Sequence, residues 1–206
     1  MTKLCGIYAI VDRATGVPPL TLLDALLLAG IRVVQYRSKG GVDRNVVRAM
    51  HDRTRAVGAS LIVNDDFEAA LEADGWHAGQ VDLAGRDPHE LRARLGSRTF
   101  GVSCGLPAEA LVAEAFGADY VGVGPFATTQ TKRDAGPAIG VAGIRAVVTA
   151  TRLPVVAIGG IGAHNLDEVA RSGAAMAALV SALAESSDPA ATAAALIARW
   201  RALVLA

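Results

Sequence analysis

The stretch VVQYRSKGG carries Gln35, Arg37 and Lys39 at alternate positions, so an extended backbone aims an amide, a guanidinium and an ammonium the same way. Such a row is costly to bury without an anion to neutralise it. Arginine grips phosphate oxygens two at a time and lysine adds a point charge, so the chemistry to expect is phosphate binding. LIVNDD comes next, an apolar run that ends in Asn64, Asp65 and Asp66. Asp66, directly before Phe67 and Glu68, suits a helix N-cap, which leaves Asp65 for chemistry. Asp82, in HAGQVDL, is the natural second carboxylate, with a helix cap or loop turn as its plain alternative. Two carboxylates beside a polyphosphate are the usual protein contribution to a Mg²⁺ site, because the ion keeps several of its waters. Zinc is not expected, since the histidines lack ligand spacing.

Two further segments carry hydroxyls and glycines. GPFATTQTKRD holds Thr128, Thr129, Thr131, Lys132 and Arg133. It reads as a loop able to close over a bound diphosphate, or as an ordinary polar surface loop. VVAIGGIGAHN places Gly159 and Gly160 after an apolar run, and Ser181 follows the next one. Backbone N–H groups and helix N-termini at such positions bind a single phosphate, and glycine lets the anion approach. Glycines that merely make tight turns are the alternative. The sequence therefore suggests a cationic, Mg²⁺-assisted diphosphate site facing a backbone-built monophosphate site. That pairing points to a transfer between two phosphorylated small molecules.

The elements that must position these residues follow a regular rhythm. Short apolar runs at 4–11, 31–36, 60–63, 75–78, 99–103, 120–123, 155–158 and 174–180 read as strands. Helical patterns begin near Thr21, Asp43, Phe67, Pro88, Pro107, Val141, Asn165 and Pro189. Strands alternating with helices imply βαβ units and a parallel sheet, and eight units close a (β/α)₈ TIM barrel. Gly30, Gly58, Gly117 and Gly173 each stand just before a strand, where a helix C-terminus favours glycine. The polar residues collect at the ends of the strand runs, including His77 and Gln80 after the fourth and Ser103 at the fifth. In a barrel those ends form the active face. An open doubly wound sheet is the rival fold, but no GxGxxG follows the first strand run.

Bulk properties narrow the class. A length of 206 residues favours one domain spanning 1–206. Hydrophobic residues make up 52% and aromatics only 4%, the usual filling of parallel strands covered by helices. Twenty basic and twenty acidic residues balance, so no overall field recruits nucleic acid or a membrane surface. No apolar run is long enough to span a bilayer, and the first is read as a strand rather than a signal peptide. Cys5 and Cys104 form no ligand pattern and read as free thiols in a reducing cytoplasm. Self-association as a homo-oligomer is left open.

The chain resembles thiamine-phosphate synthases along nearly its whole length. The resemblance is carried in order by IYAIVD, VQYRSKG, LIVNDD, DGWHAGQVDL, FGVSCG, GADYVGVGPFATTQTK, PVVAIGGIGAHN and LVSAL. It implies a (β/α)₈ barrel that joins a hydroxymethylpyrimidine diphosphate to a thiazole phosphate and releases diphosphate. It also implies that Gln35, Arg37, Lys39, Asn64, Ser103 and Lys132 contact the pyrimidine diphosphate. Of these, Arg37, Ser103 and Lys132 would act in catalysis. Asp65 and Asp82 would hold Mg²⁺, while Thr129, Thr131, Gly160, Val180 and Ser181 would face the thiazole phosphate. Chemistry of this dissociative kind needs no protein nucleophile, in keeping with the absence of a Ser/His/Asp or Cys/His set. The chain departs from the family pattern at Trp76, Ala78, Cys104, Gly105 and Ala175, and in the PFATTQTK loop.

Three other readings compete. A thiazole tautomerase-like member of the superfamily would not need the cationic row, the carboxylate pair and the Thr-x-Thr-Lys loop together. A catalytically silent binding barrel has little use for groups that stabilise a leaving group. A phosphosugar isomerase would need an acid/base pair, for which His77 with Asp82 is the candidate.

Overall fold

The computed structural model describes residues 4–129, 131 and 136–205. Eight parallel strands close a barrel in chain order: β1 (Gly6–Asp12), β2 (Val33–Arg37), β3 (Ser60–Asn64), β4 (Gly75–Ala78), β5 (Thr99–Cys104), β6 (Tyr120–Val123), β7 (Val155–Ile158) and β8 (Met176–Leu179). β1 pairs with both β2 and β8, which excludes the open doubly wound sheet. Each expected strand is present, with ends moved by a residue or two. β2 starts later than expected because Ile31 still belongs to the preceding helix end, its N–H donating to Leu26 at 3.1 Å.

The helices of the outer layer are α1 (Pro19–Leu28), α2 (Arg44–Ala56), α3 (Phe67–Ala70), α4 (Gln80–Leu83), α5 (Pro88–Leu95), α6 (Pro107–Ala115), α7 (Gly140–Ala150), α8 (Leu166–Arg171), α9 (Ser181–Ala184) and α10 (Pro189–Leu205). α4 and α9 are extra single turns inside the loops after β4 and β8, too short to leave a periodic signal. Asp66 caps α3 as expected, its carboxylate accepting from Ala69 N–H at 2.9 Å. Gly30, Gly58, Gly117 and Gly173 all adopt positive φ at their helix-to-strand turns.

Strand alternation divides the apolar residues into two cores. On β1, Tyr8 and Ile10 face the barrel interior, with Val33, Ile62, Tyr120, Val156, Met176 and Ala178 from other strands. Ile7, Ala9 and Val11 face the helices. The interior admits the Tyr120 ring only because Gly101 stands beside it: a Cβ there would lie 2.1 Å from Tyr120 Cζ. Above this interior layer the same strand faces end in polar residues.

Candidate active site

A cavity of about 670 Å³ opens at the C-terminal ends of the strands, the size of a small-molecule site. Every sequence-predicted site residue within the described structure lines it. From β2 come Gln35 and Arg37, with Lys39 just beyond; from β3 and its loop come Asn64 and Asp65. α4 supplies Asp82, β5 supplies Ser103, and the loop after β6 supplies Thr129 and Thr131. Gly160, Val180 and Ser181 complete the wall after β7 and β8. Lys132 lies outside the described residues.

The cationic row differs from its expected form in a useful way. Parallel register sets Asp12 beside Arg37, and the Asp12 carboxylate accepts from the Arg37 guanidinium. Asp12 is 1% exposed, and its other oxygen accepts from Ala14 N–H at 2.9 Å. Arg37 thus has an internal counter-ion and does not depend on a ligand for neutralisation, which corrects the expectation that the row needs an anion. The pair also fixes where the guanidinium sits. Asp12 was legible only as the polar end of the first apolar run, the same position in its strand that Arg37 holds in β2.

Gln35 lies deeper than Arg37, at the top of a buried hydrogen-bonded chain. Its Nε2 donates to Tyr8 Oη at 3.0 Å, and Tyr8 Oη meets Tyr120 Oη at 2.9 Å. Tyr120 Oη meets His77 Nδ1 at 2.8 Å, and His77 Nε2 meets Ser103 Oγ at 2.9 Å. Burial pushes both phenols well above their usual range, so each keeps its single proton. An amide nitrogen only donates, so Tyr8 Oη, accepting from Gln35, donates to Tyr120 Oη, and Tyr120 Oη in turn donates to His77 Nδ1. His77 is then the Nε2–H tautomer and donates to Ser103, whose own hydroxyl proton is left for the cavity. His77, expected as a plain strand-end residue, therefore orients Ser103. Gln80 adds a second hold on this turn, its Nε2 donating to the Ser103 carbonyl at 2.7 Å.

The two candidate metal carboxylates sit in the same cavity. Asp82 takes the plain reading of a helix cap, Oδ2 accepting from Gly79 N–H at 2.7 Å and closing the first turn of α4, and it also lines the cavity. Asp65 holds φ at +61°, the single positive-φ residue other than glycine among the described residues. Among the described residues no group of three His, Cys, Asp or Glu side chains is arranged to hold a metal. Two carboxylates without a third suit Mg²⁺, whose remaining positions go to phosphate oxygens and water, and suit zinc poorly.

The opposite wall is rich in glycine and hydroxyl residues. Gly159 and Gly160 have φ of +98° and +64°. A Cβ on Gly160 would lie 2.6 Å from the Thr128 carbonyl oxygen, so glycine here lets the β7 turn pack under the loop after β6. Val180 precedes α9 with no side chain capping the helix. Thr131 N–H donates to Thr129 Oγ1 at 3.2 Å. Cys104 also lines the cavity, but burial pushes its thiol up to about 12, so it is not a thiolate nucleophile at neutral pH.

Comparison with known proteins bears on this geometry. The family described as thiamine monophosphate synthase matches residues 7–183. The thiamine-phosphate synthase of Herpetosiphon aurantiacus is 43% identical over 190 residues, covering 89% of this chain and 90% of the relative. That of Chloroflexus aurantiacus is 41% identical over 190 residues, covering 88% and 86%. A solved structure, a thiamine phosphate pyrophosphorylase from Pyrococcus furiosus, superposes with a TM-score of 0.86 at 28% identity, covering 98% of both chains.

Proposed function

Because the chain belongs to the thiamine monophosphate synthase family, we propose that it joins 4-amino-5-hydroxymethyl-2-methylpyrimidine diphosphate to 4-methyl-5-(2-phosphooxyethyl)thiazole, giving thiamine monophosphate and diphosphate. The observation that carries this reading is the convergence of both candidate phosphate sites on one cavity, one wall cationic and the other rich in glycines and hydroxyls.

The C–O bond between the pyrimidinylmethyl carbon and the diphosphate breaks, and its electron pair leaves with the diphosphate. The aminopyrimidine delocalises the cation that remains. The thiazole nitrogen then supplies the pair for the new C–N bond. Arg37, fixed by Asp12, and Lys39 offset the charge growing on the leaving group. Ser103, with its proton directed at the cavity by His77, donates to a diphosphate oxygen. Lys132 belongs to the same set by its place in the sequence. Asp65 and Asp82 would hold Mg²⁺, which supplies Lewis-acid stabilisation of diphosphate when bound. On the other wall Gly160, Val180 and Ser181, with the uncapped start of α9, receive the thiazole phosphate, and Thr129 and Thr131 border it. The protein contributes charge stabilisation and positioning rather than a nucleophile.

Among the described residues no helix is long and apolar enough to cross a membrane, and both cysteines are free, in keeping with work in a reducing cytoplasm. The deciding experiment incubates the purified protein with both substrates and Mg²⁺ and looks for thiamine monophosphate by mass, beside a chelated control. Product only with metal is the expected result. Thiazole phosphate binding without product would favour a tautomerase-like or silent barrel instead.

A further inference from the structure

We propose that Trp76, a residue outside the cavity, is a positioning residue that sets the direction of the Asp65 carboxylate; this rests on the reading of Asp65 as a Mg²⁺ ligand. Asp65 adopts a left-handed backbone, which a residue with a Cβ disfavours unless its surroundings impose it. Two hydrogen bonds from adjacent residues of β4 do so. Asp65 N–H donates to the His77 carbonyl at 2.9 Å, and Trp76 Nε1 donates to the Asp65 carbonyl at 3.0 Å. The peptide groups on both sides of Asp65 Cα are therefore held, and with them the direction of its Cα–Cβ bond, from which the carboxylate projects.

The indole is itself locked. Trp76 is fully buried on the outer face of the barrel, stacked on Phe100 at 5.4 Å between ring centroids and meeting Phe67 edge-on at 5.0 Å. The Arg86 guanidinium lies 5.6 Å from the indole centroid, and Arg86 Nε donates to the Asp82 carbonyl at 2.7 Å. The aromatic cluster thus holds the Asp65 carbonyl directly, and the arginine lying over it holds the Asp82 carbonyl. A smaller apolar side chain at position 76 has no donor to reach Asp65, so this chain carries a hold on its metal wall that such a residue lacks. Because Trp76 does not line the cavity, its effect on bound ligands runs through the residues it holds, and the indole N–H acts on Asp65.

Titration calorimetry on the full chain, with inorganic diphosphate in the presence and absence of Mg²⁺, tests this. Trp76→Phe keeps an aromatic ring and removes the donor. A site-specific benzothienylalanine at 76 keeps the indole's shape without the N–H, and Asp65→Ala serves as the reference. Loss of one backbone-directed hydrogen bond is expected to weaken diphosphate binding with Mg²⁺ by about tenfold. Metal-free diphosphate and thiazole phosphate binding are expected to stay unchanged. If Asp65→Ala weakens the Mg²⁺-dependent binding while both position-76 variants bind like the parent chain, the positioning role is overturned and the metal reading stands. Equal weakening with and without Mg²⁺ also overturns it. If Asp65→Ala itself binds like the parent chain, the metal reading fails and the inference falls with it.

Discussion

From β1 to β5 the cavity wall is rich in charged and amide side chains, and from β6 to β8 it carries glycines, hydroxyls and apolar side chains with no charged residue among those described. The first wall presents Asp12, Gln35, Arg37, Lys39, Asn64, Asp65 and Ser103; the second presents Gly122, Gly124, Gly159 and Gly160 with the hydroxyls of Thr129, Thr131 and Ser181. Each material suits its proposed ligand. A diphosphate whose charge rises as it departs calls for full charges that can be fixed and tuned, and the first wall fixes them with partners such as Asp12 and His77. A monophosphate that does not react needs only a steady cradle, which amides and a hydroxyl supply without burying a second set of cations. A wall of charged side chains should therefore fail one residue at a time, and a wall of glycines and hydroxyls should fail gently.

The sharpest test of the side-chain wall is Asp12→Ala. It leaves the Arg37 guanidinium without its buried partner, and we predict a loss of about 3 kcal/mol in unfolding free energy. The figure is at the low end for a buried pair because Arg37 also faces the open cavity. Inorganic diphosphate should restore part of the melting temperature by resupplying negative charge. No recovery would show that Asp12 holds the fold rather than the anion site.

Next in size is Asp65→Ala, for which we predict at least a hundredfold loss of Mg²⁺-dependent turnover, about 2.7 kcal/mol in the transition state. Thiazole phosphate affinity should be unchanged, because that ligand belongs to the other wall. Normal turnover in this variant would reject the ligand assignment. On the glycine-rich wall, Ser181→Ala removes one hydroxyl from a site that also offers backbone amides and the hydroxyls of Thr129 and Thr131. We predict a weakening of thiazole phosphate binding by only about tenfold, the worth of one hydrogen bond to a charged group, with diphosphate binding untouched. The reverse ranking would show that the two walls are assigned the wrong way round.

The same contrast explains what was legible in the sequence. Side chains at strand ends are visible as letters, so Arg37, Asp65, Asp82 and Ser103 could be named and lie together in the structure. Strand rhythm was also plain, because parallel strands buried on both faces read as apolar runs. Partnerships were not visible. Asp12 and Arg37 are 25 residues apart, and only the β1–β2 register brings them together. Tyr8 and Tyr120, 112 residues apart, read as ordinary apolar strand residues, because nothing local marks a phenol aimed into the barrel. The glycines after β7 were legible as glycines but not by purpose: a Cβ on Gly160 would collide with the Thr128 carbonyl, a contact no local pattern reveals.

The buried phenols provide the smallest and most specific test, because they lie beneath both walls. Burial holds the pKa of Tyr8 and Tyr120 above the ordinary value of about 10. A group whose folded pKa is raised adds stability that is fully present below the unfolded pKa and is lost as pH rises through the folded one. Unfolding free energy should therefore be flat in this respect to about pH 10 and fall beyond it, as the unfolded chain releases phenolic protons that the folded chain retains. Tyr120→Phe removes one of these protons from the balance, so its stability should fall less steeply above pH 10, by about 1.4 kcal/mol less for each pH unit that separates the two pKa values. The variant also breaks the chain that makes His77 the Nε2–H tautomer, so Ser103 should lose its fixed orientation. At neutral pH that should lower turnover while leaving thiazole phosphate affinity alone. An unchanged alkaline slope would mean that the phenols are not protected as their burial implies. An unchanged turnover would mean that Ser103 acts without the chain beneath it.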